Sequence, residues 1–155
     1  MDEIDKNILR LLQEDCTLSH AEVAEHVGLS TTPCWRRIQK LEESGVIQRR
    51  VALVDPERLN LAVTVFVAIR TNQHSQEWFD GFAGVLAKMP EVVEFYRMSG
   101  DIDYLLRVVV PDIKAFDQLY KRLIERVDLF DVSSSFAMEQ IKFTTALPVD
   151  YIAMT

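Results

Sequence analysis

The chain has 155 residues, 48% hydrophobic and 26% charged, with a formal net charge of −7. That suits one ordinary globular domain or two small ones, and no apolar run approaches the roughly 18 residues of a membrane span. Net negative charge opposes indiscriminate binding to phosphates, so any contact with nucleic acid must come from a focused patch.

The opening MDEIDKN is acidic, whereas a secretory signal opens basic and continues apolar. Cys16 and Cys34 stand at no metal-ligand or redox spacing. A reduced, cytoplasmic setting is expected. Charge is unevenly spread: residues 1–29 hold two cations against seven anions, and residues 30–50 five cations against two anions.

In the first predicted helix, Ile4, Ile8, Leu11 and Leu12 form an apolar stripe at i, i+4, i+7 and i+8. Asp2, Glu3 and Asp5 fall in its first turn, where the helix dipole favours anions. The second helix opens with Ser19 and Glu22 at capping-box spacing, and Ala21, Ala24 and Val27 give it a narrow apolar face. Gly28 supplies the freedom a terminator needs.

The third helix begins among Ser30, Thr31, Thr32 and Pro33, cap-forming residues followed by a proline tolerated in a first turn. Cys34, Ile38 and Leu41 align on one face, and Thr32, Arg36, Gln39 and Lys40 on the opposite one. Two helices around a tight turn, the second carrying outward cations, outline a helix-turn-helix whose second helix enters the major groove of DNA. Arg and Gln make paired hydrogen bonds to guanine and adenine edges, while Thr and Lys reach phosphates or bases. Ser30 and Thr31, at the start of this helix, join the DNA-binding set. Arg37 lies nearer the flank, where a phosphate contact or an internal ion pair suits it. Trp35, also flanking, is expected to pack against the partner helices rather than intercalate. The bland alternative for the segment is a solvated charged helix in an ordinary helical domain; the coincidence of turn, capping and charge reversal argues against it.

Gly45 ends this helix, and Val46–Leu53 follows in a β-like pattern that fits the wing of a winged helix, with Arg49 and Arg50 touching the DNA backbone. Asp55-Pro56 breaks the pattern, and residues 55–61 read as a linker. Beyond it the period changes. Ala62–Arg70 reads as a strand, Gln76–Met89 as a helix and Val92–Met98 as a strand; Tyr104–Val110, Ile113–Arg126 and Val132–Ile141 repeat that order. Two β-α-β units in tandem imply a ferredoxin-like, four-stranded antiparallel sheet with both helices on one face. The fold is thus α+β, an N-terminal winged helix-turn-helix followed by a βαββαβ domain. Strands AVTVFVAIR and YLLRVVV are apolar on both sides, so the uncovered sheet face calls for a homodimer, which also suits a two-half-site DNA reader.

The whole chain resembles the Lrp/AsnC (feast/famine) transcriptional regulators. The residues that carry the resemblance are IDKNILRLLQED, AEVAEHVGLSTTPCWRRIQKLEESGVI, ALVDPERL, MSGDIDYLLRV and SSSFAMEQIKFTTALP. The resemblance implies a DNA-binding domain over 1–54 and a ligand-binding, oligomerisation domain over 62–155. It also implies dimers assembling to tetramers or octamers, and an amino acid or related metabolite as effector.

In the family, effector binding clusters around a G-x-x-D turn, here Gly100 to Asp103. Gly100 allows a tight turn and close ligand approach, and Asp103 suits an α-ammonium group while nearby backbone N–H groups suit a carboxylate. Met98, Ile102 and Tyr104 then line the side-chain pocket, and Ser133 and Ser135 add hydroxyls. The alternative is a plain hairpin turn with a capping aspartate. The stretches TTPCWRR and SSSFAMEQIK look most like a branch associated with sulfur amino acids, cysteine in particular. The two cysteines give that no chemical support, since helix-packing cysteines are usually small buried hydrophobes.

Histidines His20, His26 and His74 are scattered, and neither a metal spacing, a nucleophile motif nor a phosphate-cradling loop is present. An enzyme, a metal site and a cofactor are therefore not expected. The remaining rival is an architectural DNA-binding protein without an effector, its second domain serving assembly only.

Overall fold

The computed structural model describes residues 1–152. The chain divides into two compact units, one containing Met1–Leu53 together with the C-terminal segment from Lys142, the other Val54–Ile141.

In the first unit, helices α1 (Glu3–Glu14), α2 (His20–His26) and α3 (Thr31–Glu43) enclose a small core of Ile8, Leu9, Val23, Ala24, Cys34, Ile38, Leu41 and Val149. Each of the first two helices begins with a capping box. The Asp5 N–H donates to Asp2 Oδ1 and the Asp2 N–H to Asp5 Oδ2, both at 3.0 Å. Ser19 and Glu22 do the same for α2, as their spacing predicts. Helix α2 buries Val23 and Ala24, whereas Ala21 is exposed, so its inner face is rotated from the one the small residues outline. Gly28 and Gly45 close α2 and α3 at φ values of 70° and 75°, a region open to glycine without a Cβ penalty.

Two expectations change here. Residues 46–53 carry no hydrogen-bonded strand, because among the described residues this unit has no second strand to pair with them; the β-like residues of the expected wing stay out of any ladder. The C-terminal segment, expected in the second domain, belongs with the first over residues 142–152; residues 153–155 lie outside the described residues. Val149, in a short 3-10 turn (Val149–Tyr151), enters the core at 7% exposure. The Gln13 side chain accepts from the Leu147 N–H at 2.7 Å and donates to the Leu147 carbonyl at 3.2 Å, and Arg10 pairs with Asp150. A mainly apolar cavity of about 810 Å³, lined by Leu9, Leu12, Ile47, Val51, Leu147 and Val149 among others, lies within this unit.

The second unit opens with a 3-10 turn (Glu57–Leu59) closed by Asn60 at φ 57°. Strands β1 (Val63–Arg70), β2 (Val92–Arg97), β3 (Tyr104–Val110) and β4 (Asp131–Phe136) form one antiparallel sheet in the order β2-β3-β1-β4. Helices α4 (Gln76–Leu86) and α5 (Ile113–Ile124) start at Ser75 and Asp112, whose side chains accept from Trp78 and Ala115 N–H groups. Val65, Val67, Ile69, Leu106 and Val108 face Phe82, Leu86, Phe116, Leu119 and Leu123 in a single core. This is the expected ferredoxin-like order. Strand β4 is shorter than its apolar pattern predicts. Phe136 pairs with Val65 and the Ala137 N–H reaches Thr64 O, but β1 starts at Val63, so beyond 137 the chain has no ladder to join.

On the other sheet face the register places Phe66 and Ala68 of β1 beside Leu105 and Arg107 of β3, Tyr96 of β2, and Ser133 and Ser135 of β4. Phe66 and Tyr96 are 40% and 50% exposed. Arg107 binds the Glu94 carboxylate at 2.6 Å, and the Tyr96 hydroxyl donates to the same group at 3.0 Å.

Candidate nucleic-acid interface and effector turn

Burial sorts the residues of α3 into two populations. Cys34, Ile38 and Leu41 are inside; Thr31, Thr32, Trp35, Arg36, Gln39 and Lys40 are exposed, as is Ser30 at the N-cap. The Ser30 side chain makes no capping hydrogen bond, which leaves its hydroxyl available to a ligand. Among the described residues, Arg36, Lys40 and Arg49 have no ion-pair partner. They form the unneutralised part of the basic patch, the charges still available for phosphate or base-edge contacts.

Arg37 and Arg50 differ. Arg37 Nη1 lies 2.7 Å from an Asp5 oxygen and 2.8 and 2.9 Å from the two Asp2 oxygens. Asp2 is the N-cap of α1 and Asp5 lies in its first turn, so Arg37 ties the start of α1 to α3. The Asp5 N–H, and after it Arg37, hold the Asp2 carboxyl below its ordinary 3.8. Arg50 binds Glu42 at 3.0 Å and the Cys16 carbonyl at 3.4 Å. Both arginines, expected to contact DNA, are instead engaged within their own unit, Arg37 in the internal ion pair that its flank position allowed. Burial raises the Cys34 thiol, consistent with a packing role. Trp35, expected to pack, is 40% exposed.

In the second unit the β2–β3 connection is held from three sides. The Met98 N–H donates to the Asp103 carbonyl at 2.8 Å, and the Asp103 N–H to the Ile69 carbonyl at 2.9 Å. Asp103 Oδ2 accepts from the Thr71 N–H at 2.8 Å, which fixes the exit of β1; Thr71 itself is buried. Gly100 sits at φ 107°, with open space where a Cβ would stand. Its requirement is therefore backbone conformation rather than crowding. Met98 is 39% exposed and Ile102 half-buried.

Tyr104 is separated from this group. Its ring is in the core, 5.3 Å from Phe82 and 5.5 Å from Phe95 by centroid, so it supports the turn from beneath rather than lining a pocket at it. Ser133 and Ser135 point to the open sheet face on β4, with β1 between them and β3. The turn and the two serines are thus distinct patches of one protomer.

A winged helix-turn-helix DNA-binding model matches residues 1–48, and an Lrp/AsnC ligand binding domain model matches residues 64–147, more than half of the chain. The chain belongs to the Lrp/AsnC family. The DNA-binding transcriptional activator DecR of Escherichia coli (strain K12) is 54% identical over 151 residues, 97% of this chain and 99% of that protein. The crystal structure of an AsnC family transcriptional regulator from Agrobacterium tumefaciens has 66% identity and a TM-score of 0.96, covering 99% of this chain and 100% of that one. A transcriptional regulator from Neisseria meningitidis, solved as an L-Met complex, has 34% identity and a TM-score of 0.92, each chain covered to 97%.

This Lrp/AsnC protein is accordingly a DNA-binding transcriptional regulator with a reader and a ligand-binding domain. No helix among its described residues is long and apolar enough to cross a membrane. Sequence reasoning missed the long-range contacts of Asp2, Asp5 and Thr71. Their partners lie more than thirty residues away, at separations of 35, 32 and 32, so no local pattern announces them.

Proposed function

We propose that this regulator reads its operator with the exposed face of α3 and alters occupancy on binding an α-amino acid at the Gly100–Asp103 turn. Thr32, Arg36, Gln39 and Lys40 face the bases, Ser30 and Thr31 meet phosphates at the start of the helix, and Arg49 meets the backbone beside it. The observation that carries the reading is the contrast along one short segment: Arg37 and Arg50 are neutralised internally, while Arg36, Lys40 and Arg49 are exposed and unpaired.

For the effector, Asp103 has one oxygen committed to Thr71, while Oδ1 makes no hydrogen bond among the described residues and is free to accept an α-ammonium group. Met98 and Ile102 offer an apolar, polarisable wall suited to a neutral thioether or thiol side chain. The resemblance to a sulfur-amino-acid branch and the L-Met complex of the Neisseria meningitidis relative support that class. Ser133 and Ser135 serve a ligand or a second copy on the open face. Sheet-to-sheet pairing through Phe66, Leu105 and Tyr96 gives a homodimer with two α3 helices for two half-sites, and further assembly to tetramers or octamers places turns of different dimers together. A coupling of only about 1–3 kcal/mol between effector and DNA suffices to switch occupancy.

A thermal-shift screen of the twenty amino acids, followed by sizing with and without the hit, tests this. Ligand binding to the folded state raises its apparent stability, so methionine or cysteine is expected to raise Tm and alter assembly. No shift with any of the twenty, with DNA binding intact, would instead establish the architectural reading.

A further inference from the structure

The largest side chain on the reader helix is not in the core. Trp35 is 40% exposed; among the described residues it stacks on no aromatic ring and stands outside the buried cluster of its unit. An indole left in water on a functional helix forgoes substantial apolar burial. At 3.6 residues per turn, Trp35 lies roughly a fifth of a turn from the line of Thr32, Arg36 and Gln39, on the side away from Lys40. A side chain at that angle meets the wall of the groove rather than its floor. The opposite flank is occupied by Arg37, which Asp2 and Asp5 hold. On that side the cation left for phosphate is Lys40, which lies between Arg36 and Arg37; on the other side Trp35 is the large exposed side chain next to the groove-facing line.

The structure assigns Trp35 to the sugar–phosphate wall of the DNA major groove, with its ring against deoxyribose and its Nε1–H donating to a phosphate oxygen. This rests on α3 being the groove-facing helix. The contact is a positioning one: it carries no base information, so it strengthens specific and non-specific binding alike. It also gives the acidic chain an apolar, salt-insensitive contribution to DNA affinity, unlike that of Arg36 and Lys40.

The chain has two tryptophans, and the other, Trp78, packs on Phe82 and Tyr104 in the second unit. In a Trp78→Phe protein, Trp35 is the sole indole reporter. Titration with a mixed-sequence duplex at low ionic strength is expected to quench and shift its emission in step with binding measured by anisotropy of labelled DNA. Trp35→Ala in the otherwise native chain is expected to weaken duplex binding by about tenfold or more, and Trp35→Phe by less, with the slope of affinity against salt unchanged in both. Because the difference in emission between native and Trp35→Phe proteins gives the same signal, the test survives if Trp78→Phe fails to fold. Emission that ignores saturating DNA, or that follows protein concentration instead, would overturn the assignment, as would native affinity in Trp35→Ala. If the native protein binds no duplex at all, the groove-facing reading of α3 fails first.

Discussion

The two units use their polar side chains in opposite ways. In the reader, the candidate site is what remains after structure has taken its share: Arg37 and Arg50 are bound to carboxylates of their own unit, and among the described residues Arg36, Lys40 and Arg49 stay unpaired. In the sheet unit, the candidate site is itself structural, because Asp103 fixes β1 through Thr71 and Tyr104 is a core aromatic. A site built on surplus surface side chains can be changed with little effect on folding. One built on structural groups tolerates change only where the substitute keeps the structural bond, and its occupancy is naturally coupled to the conformation of what it holds.

The largest expected effect tests where the reader ends. Val149→Asp places a carboxylate in the core of α1 and α3, which carries a cost of about 2–4 kcal/mol. Amides of α1 and α3 are expected to exchange faster with solvent, while those of β1 and β3 keep their protection. Equal loosening of both units, or of neither, would contradict the placement of the C-terminal segment with the reader.

The next pair separates surface from structure within α3. Arg36→Ala is expected to lose about 1–3 kcal/mol of operator binding at unchanged Tm. Arg37→Ala is expected to do the reverse, losing under about 1 kcal/mol of stability, since its pairs are partly solvated, with DNA affinity retained below the melting range. Anisotropy titrations and thermal melts on both variants check this; equal loss of DNA binding would return Arg37 to the interface.

How much of this was legible depended on sequence separation. The Ser19–Glu22 box and the exposed face of α3 are written within a few residues, and both appear as read. The two-fold β-α-β order is also local, element by element, and only the pairing order is long-range. Apart from the inner face of α2 and the exposure of Trp35, what failed was non-local. Gln13 and Leu147 are 134 residues apart, and the end of β4 was set by where β1 begins rather than by its own apolar residues. Tyr104 could not be placed because YLLRVVV is apolar on both sides, so register alone decides which residues face the helices.

In the sheet unit, Asp103→Ala and Asp103→Asn differ instructively. Both remove the charge proposed to meet an α-ammonium group, so both are expected to abolish the thermal shift with amino acid. Asn keeps an oxygen for the Thr71 N–H, whereas Ala leaves it unpaired at about 1 kcal/mol. The ligand-free Tm is therefore expected to fall in Ala and hold in Asn. A full ligand response in Asn would move the ammonium contact away from Asp103.

The smallest effect sharpens the comparison in acid. Both units contain a carboxyl held below its ordinary range, Asp2 by the Asp5 N–H and Arg37, and Glu94 chiefly by Arg107. A depressed folded-state pKa means stability that is present above the unfolded value and is lost as pH falls through the folded one, here below about pH 4. Asp2→Asn retains a good N-cap acceptor and removes only the charge, so it should flatten the acid loss in α1 exchange protection while β2 and β3, flanking Glu94, still weaken. Because Asp2 is solvent-exposed, salt should shrink the native reader's acid response toward that of the variant. An acid profile of α1 identical in native and Asp2→Asn proteins would mean that the Asp2–Arg37 pair contributes nothing to holding α1 on α3, leaving Asp5 as the sole anchor of that arginine.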